Sequence, residues 1–98
     1  MITPTPGRIV WYRPLTTEGL ACQPGKPLAA IVADVITDRC VTLSVIDAAG
    51  NHHGRTAIPL LQDDDAPLER GGYAEWMPYQ VGQAKRHEAD NRENRSVA

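Results

Sequence analysis

Leu28-Ala29-Ala30-Ile31-Val32-Ala33-Asp34-Val35-Ile36, followed by Thr37-Asp38-Arg39 and then Cys40-Val41-Thr42-Leu43-Ser44-Val45-Ile46, is the stretch on which the fold turns. A short polar break separates two runs rich in β-branched residues, the pattern of a β-hairpin. In the second arm Val41, Leu43 and Val45 share one face and Cys40, Thr42 and Ser44 the other, the period of two of a half-buried strand. In the first arm Ile31, Ala33 and Val35 form one set and Val32, Asp34 and Ile36 the other. An unpaired aspartate is costly to bury, so Ile31, Ala33 and Val35 are expected inward, leaving Val32 and Ile36 to face solvent or a partner. A helix over Leu28 to Ile36 competes through its alanines, but the β-branched run and short span favour strand.

Working outward, Gly7 to Tyr12 reads as a first strand after a Pro/Gly boundary. Arg13 to Pro27 holds Pro14, Gly19, Pro24, Gly25 and Pro27, so it is a long loop, either mobile or used for binding. Asp47-Ala48-Ala49-Gly50-Asn51 is a chain reversal. Arg55 to Leu60 follows as a strand with Thr56, Ile58 and Leu60 on one face, and Pro59 places it at an edge or a bulge. Gln62 to Gly72 is loop, Tyr73 to Met77 is a last strand ended by Pro78, and the polar segment from Val81 is expected to be disordered or a frayed helix ordered by a partner. The expected architecture is all-β: a small SH3-like five-stranded barrel over residues 1–80 and a charged flexible tail over 81–98. An OB-like barrel and an open four-stranded meander are the competing folds. The expected core is Ile9, Trp11, Ile31, Val35, Val41, Leu43, Val45, Ile58, Leu60 and Trp76.

The 98 residues allow one domain, and 42% apolar with 22% charged residues is globular composition. A net charge of −2 lacks the basic excess that phosphate neutralisation demands. The opening residues lack a basic segment followed by a long apolar one, and the run from Pro27 to Val35 is too short to span a bilayer, so a cytoplasmic protein is expected. Cys22 and Cys40 are too few for a disulfide framework and are read as reduced.

The chemistry-bearing residues form weak patterns. His52-His53 with Asp63, Asp64 and Asp65 offer metal-ligand types, but adjacent histidines on an extended segment point to opposite sides. Neither cysteine has a base placed by spacing, and no phosphate loop, nucleophile elbow or zinc-protease helix occurs, so no enzyme, metal or cofactor is expected. Lys85, Arg86, Arg92 and Arg95 offer cations for nucleic acid, yet Glu88, Asp90 and Glu93 interleave and cancel most of their field. Alternation exposes Tyr12 if Trp11 is buried, so Tyr12, Tyr73 and Tyr79 are candidates for a surface aromatic patch, joined by Val32 and Ile36 on the hairpin.

Four pieces, Pro6-Gly7-Arg8-Ile9-Val10, Pro27-Leu28-Ala29-Ala30-Ile31-Val32, Cys40-Val41-Thr42-Leu43-Ser44-Val45 with Asp47 and Gly50, and Gly72 with Trp76-Met77-Pro78, give the chain its character. In that order they resemble a group of small, poorly characterised proteins of tailed bacteriophages and prophages. The resemblance implies an SH3-type barrel, a phage or prophage origin and no established enzymatic activity. The expectation is therefore a non-catalytic accessory or structural protein, cytoplasmic in the bacterial host or virion-associated, that binds another protein or itself. A small nucleic-acid-binding barrel is the alternative.

Overall fold

The computed structural model describes residues 1–63 and 65–86. Five strands, β1 (Ile9–Arg13), β2 (Leu28–Thr37), β3 (Cys40–Ile46), β4 (His52–Leu61) and β5 (Tyr73–Glu75), pair in sequence order and close into a barrel. Every pairing is antiparallel except that of β4 with β5, where Leu60 lies beside Ala74 and Leu61 beside Glu75. Closure removes the free sheet edges that a meander would leave. The expected small five-stranded barrel is what the chain forms.

The hairpin forms as the alternation requires in β3, where Val41, Leu43 and Val45 are all buried. In β2 the expected phase is corrected. Leu28, Ala30 and Val32 point inward, Ala33 is exposed and Ile31 is half-buried. The cause is a bulge: β2 gains one residue on β3 between Val32 and Asp34, and another between Val35 and Thr37. The slip lets Val32 enter the core while Asp34 stays outside, so the aspartate does not fix the phase of the residues before it.

β1 is also reversed in phase. Val10 and Tyr12 are buried, whereas Ile9 is 48% exposed and Trp11 half-buried. The buried cluster comprises Val10, Tyr12, Leu28, Ala30 and Val32 from the first two strands with Val41, Leu43, Val45, Leu60, Ala74 and Trp76; Val35 and Ile58 pack at its margin. Full burial of a side chain such as Leu43 or Leu60 stabilises by about 1.5–3 kcal/mol before chain entropy is counted. In β4 an extra residue lies between Arg55 and Ile58, with Ala57 in the left-handed region at φ 55°, so Thr56 is exposed and the inward positions are Arg55, Ile58 and Leu60. That bulge directly precedes Pro59, the residue whose missing N–H marked an edge or bulge.

Buried polar groups close the barrel ends. Gln62 uses its whole amide: Nε2 donates to the carbonyls of Ile2 (2.7 Å) and Asp38 (2.9 Å), and Oε1 accepts from Ile2 N–H and Trp76 Nε1, both at 3.1 Å. Gly71, at φ 78°, passes so close to the β1–β2 loop that a Cβ would lie 2.3 Å from the carbonyl oxygen of Pro14, and only glycine permits that approach. A helix, α1 (residues 78–86), follows β5. Pro78 opens it, and the Gln80 side chain returns to accept the Met77 N–H at 2.8 Å, half of a capping box. Gln80 Nε2 also donates to the Ile9 carbonyl at 2.8 Å, so α1 docks on β1 and crosses the expected division between residues 80 and 81. Asp64, and of the tail Glu88, Asp90, Arg92, Glu93 and Arg95, lie outside the described residues.

Candidate interaction surface

The long loop between β1 and β2 is tied to the barrel by Glu18. Tyr12 Oη donates to its two carboxylate oxygens at 3.0 and 2.9 Å, the Leu15 N–H donates at 2.9 Å, and Arg55 Nε forms an ion pair with it. Further along, Arg13 Nη1 donates to the Gly25 carbonyl at 3.0 Å and the Ala48 N–H to the Ala21 carbonyl at 2.7 Å. Burial and the neighbouring Glu18 push the Tyr12 hydroxyl up to about 12. Burial acts to raise Glu18, but the hydrogen bonds from Arg55, Leu15 and Tyr12 outweigh it and hold the carboxyl below its ordinary value. The phenol can therefore point inward, because the loop brings it an acceptor.

Of the residues expected to form an aromatic and aliphatic patch, Tyr12, Tyr73 and Val32 are buried and are corrected to interior positions. For Tyr12 the reason is the Glu18 acceptor; for Val32 it is the β2 bulge; Tyr73 lies in the closure strand against β1. Ile36 is 50% exposed and Tyr79 74% exposed, but the first sits in the outer bulge of the hairpin and the second in the opening turn of α1. Ile36 is five residues along β2 from Ile31, about 16 Å at strand rise.

The apolar outer face that does form, with Ile9 exposed and Trp11, Ile31 and Ile46 half-buried, includes three residues, Ile9, Trp11 and Ile31, that alternation assigns to the core. On the outside of the barrel, Ile9, Ile31, Ser44 and Gly54 occupy one row across β1 to β4, because Ile9 pairs with Ile31, Ile31 with Ser44 and Ser44 with Gly54. The next row carries Trp11, Ala29, Ile46 and His52. Glu75 pairs with Trp11 at one end of that row, where Arg13 stacks over the Trp11 ring at 5.7 Å and bonds Glu75 Oε1 at 2.9 Å. The available signal was β1 itself: Ile-Val-Trp-Tyr is apolar in both phases, and a single-layer barrel can bury only one of them.

The two histidines divide as their spacing requires. His52 Nδ1 pairs with Ser44 Oγ at 2.9 Å on the outer face, and His53 Nε2 with Asp47 Oδ2 at 2.8 Å. Asp47 also accepts the N–H groups of Ala49 and Asn51, each at 2.9 Å, and the bonds from His53 and Asn51 lead in holding its carboxyl below the ordinary range. Among the described residues no cluster of three His, Cys, Asp or Glu side chains is arranged for a metal ion, and the Ser44–His52 pair has no carboxylate orienting the imidazole. Cys22 is exposed and Cys40 half-buried, both as free thiols. No described helix is long and apolar enough to cross a membrane. No protein-family model matches the sequence, and the searches of curated proteins and of solved structures returned no match.

Proposed function

We propose that this chain is a non-catalytic protein–protein interaction module that presents the outer face of β1, β2 and β3 to a protein partner or to another copy of itself. The observation that carries this reading is the contiguous outer surface of Ile9, Trp11, Ala29, Ile31 and Ile46, whose charged neighbours Arg13 and Glu75 neutralise each other. Apolar surface gathered in one place, with a tryptophan among it, is the composition of an interface core. The four resembling sequence pieces support a role as accessory or structural protein of a tailed phage or prophage, acting in the bacterial host or on the virion.

Nucleic-acid binding has less to stand on. Of the six Lys and Arg side chains in residues 1–80, three, Arg13, Arg39 and Arg55, are held by the carboxylates of Glu75, Asp65 and Glu18, and Arg8 lies over the Trp76 ring. Within residues 1–80 little cationic surface is left to track a phosphate backbone.

Photo-crosslinking in bacterial cells tests the docking reading. A photoreactive residue at Ile9 or Ile31 is expected to give discrete protein adducts, and one at Thr16 or Arg70 to give none. Equal adducts at all four positions, or none at any, would remove the outer face as the site.

A further inference from the structure

We infer that the long loop between β1 and β2 holds a binding site for a small amphipathic anion, a carboxylate carrying an apolar body. The site does not rest on the docking reading above. Its first support is that the loop, for all its prolines and glycines, is tied down along its length. Glu18 bonds Tyr12, Leu15 and Arg55, Arg13 Nη1 donates to the Gly25 carbonyl, the Ala48 N–H donates to the Ala21 carbonyl, and the Lys26 N–H closes a turn onto the Gln23 carbonyl. A loop held in this way is ordered before a ligand arrives, so binding does not have to offset the entropy of fixing it.

The ties enclose a hollow of about 350 Å³. That volume lies within the range of small-molecule sites, about 300–1,000 Å³, and the walls have the matching composition. Pro14, Leu15, Leu20 and Pro24 supply apolar surface, and Arg13 and Lys26 are the charged groups among them. Charge selects the occupant. Among the described residues no carboxylate lines the hollow, because the one acid of the loop, Glu18, turns away to Tyr12 and Arg55. Arg13 is taken up by Glu75 and the Gly25 carbonyl, whereas Lys26 forms no ion pair with a described residue. An unneutralised ammonium beside apolar walls suits a ligand whose carboxylate meets Lys26 and whose apolar body covers Leu15, Leu20 and the prolines. A cation meets two positive groups there, and a small polar anion leaves the walls bare.

Amide-shift titration of the full chain with phenylbutyrate tests the inference, with phenylbutylamine as the matched cation and acetate as the anion without an apolar body. Phenylbutyrate is expected to shift the amides of residues 15–26. Its Kd should be about 1 mM, the scale for a ligand of about a dozen heavy atoms, and the amine and acetate should each bind about tenfold more weakly or worse. Cys22, an exposed free thiol in the wall, reports occupancy: phenylbutyrate should slow its alkylation by iodoacetamide and leave that of Cys40 unchanged. Lys26→Gln is expected to melt with the native chain, since Lys26 is exposed, and to weaken phenylbutyrate about tenfold, the scale of a hydrogen bond to a charged group. Lys85→Gln, on α1, should bind as the native chain does. No shift over residues 15–26 at about 20 mM phenylbutyrate, an amine that binds as well as the carboxylate, or a Lys26→Gln chain with native affinity would overturn the site. Shifts confined to Ile9, Trp11 and Ile31 would overturn it too, while leaving the docking face in place.

Discussion

Glu18 sets the polar end of the barrel, and its partners make that end sensitive to pH in both directions. Because its carboxyl titrates below the ordinary value in the folded chain, its contribution is complete above the ordinary carboxylate range and is lost as pH falls through the lowered folded value. Tyr12 behaves in the opposite sense. Its hydroxyl is raised to about 12 from 10.0, so its contribution is complete below pH 10 and is lost as pH rises through about 12. Tyr12→Phe is expected to lower stability at neutral pH by about 1.5 kcal/mol, the scale of a hydrogen bond to a charged group. It should also flatten the decline between pH 10 and 12, which urea unfolding across that range reads directly. A Phe variant with the native alkaline decline would place the titrating group elsewhere. None of this was legible from spacing: Glu18 sits in a loop of turn-forming residues, and nothing local marks it as the partner of Arg55, 37 positions away.

At the scale of the element, two strands carry the bulges that decide which side chains meet. Strict alternation reads β3 correctly because it is regular, and misreads β2 and β4 because each holds extra residues that shift the pleat. Asp34 stays outside, as its charge requires, but the bulge between it and Val32 puts Val32 inside. The β4 bulge needs a left-handed residue and uses Ala57, at φ 55° and exposed to solvent. Ala57→Gly is expected to keep or slightly raise stability, by up to about 1 kcal/mol, since relief of the strain offsets the entropy of glycine. Ala57→Val puts a β-branched residue where it is least tolerated and should cost about 1–2 kcal/mol. Urea midpoints for the two variants test this ordering, and a valine variant as stable as the glycine one would deny the left-handed turn. α1 shows the converse, a legible signal left unused: Trp76-Met77-Pro78-Tyr79-Gln80 carries a proline for the first helical position and a glutamine for the third.

For the whole molecule, one closed sheet encloses one core, and each strand turns one face inward and one outward. The number of strands, the hairpin and the turn at Asp47 were readable because turn residues and β-branched runs announce them. The candidate site was not, because β1 and the first half of β2 are apolar on both faces, and alternation alone cannot say which is buried. That choice is made by closure: Val10, Tyr12, Ala30 and Val32 meet Leu43, Val45 and Ala74 inside, which leaves Ile9 exposed and Trp11 and Ile31 half-buried on the outer face. Two adjacent residues therefore separate core from outer face, and the unfolding free energy of Ile31→Lys against that of Val32→Lys is the most direct measurement of the claim. Lysine at Ile31 can lay its stem on the outer sheet with its charge in water and is expected to cost about 1 kcal/mol or less, whereas lysine at Val32 buries an unpaired charge and should leave no folded population. A folded Val32→Lys chain beside an unfolded Ile31→Lys chain would contradict the phase of the barrel and, with it, the surface assigned to docking.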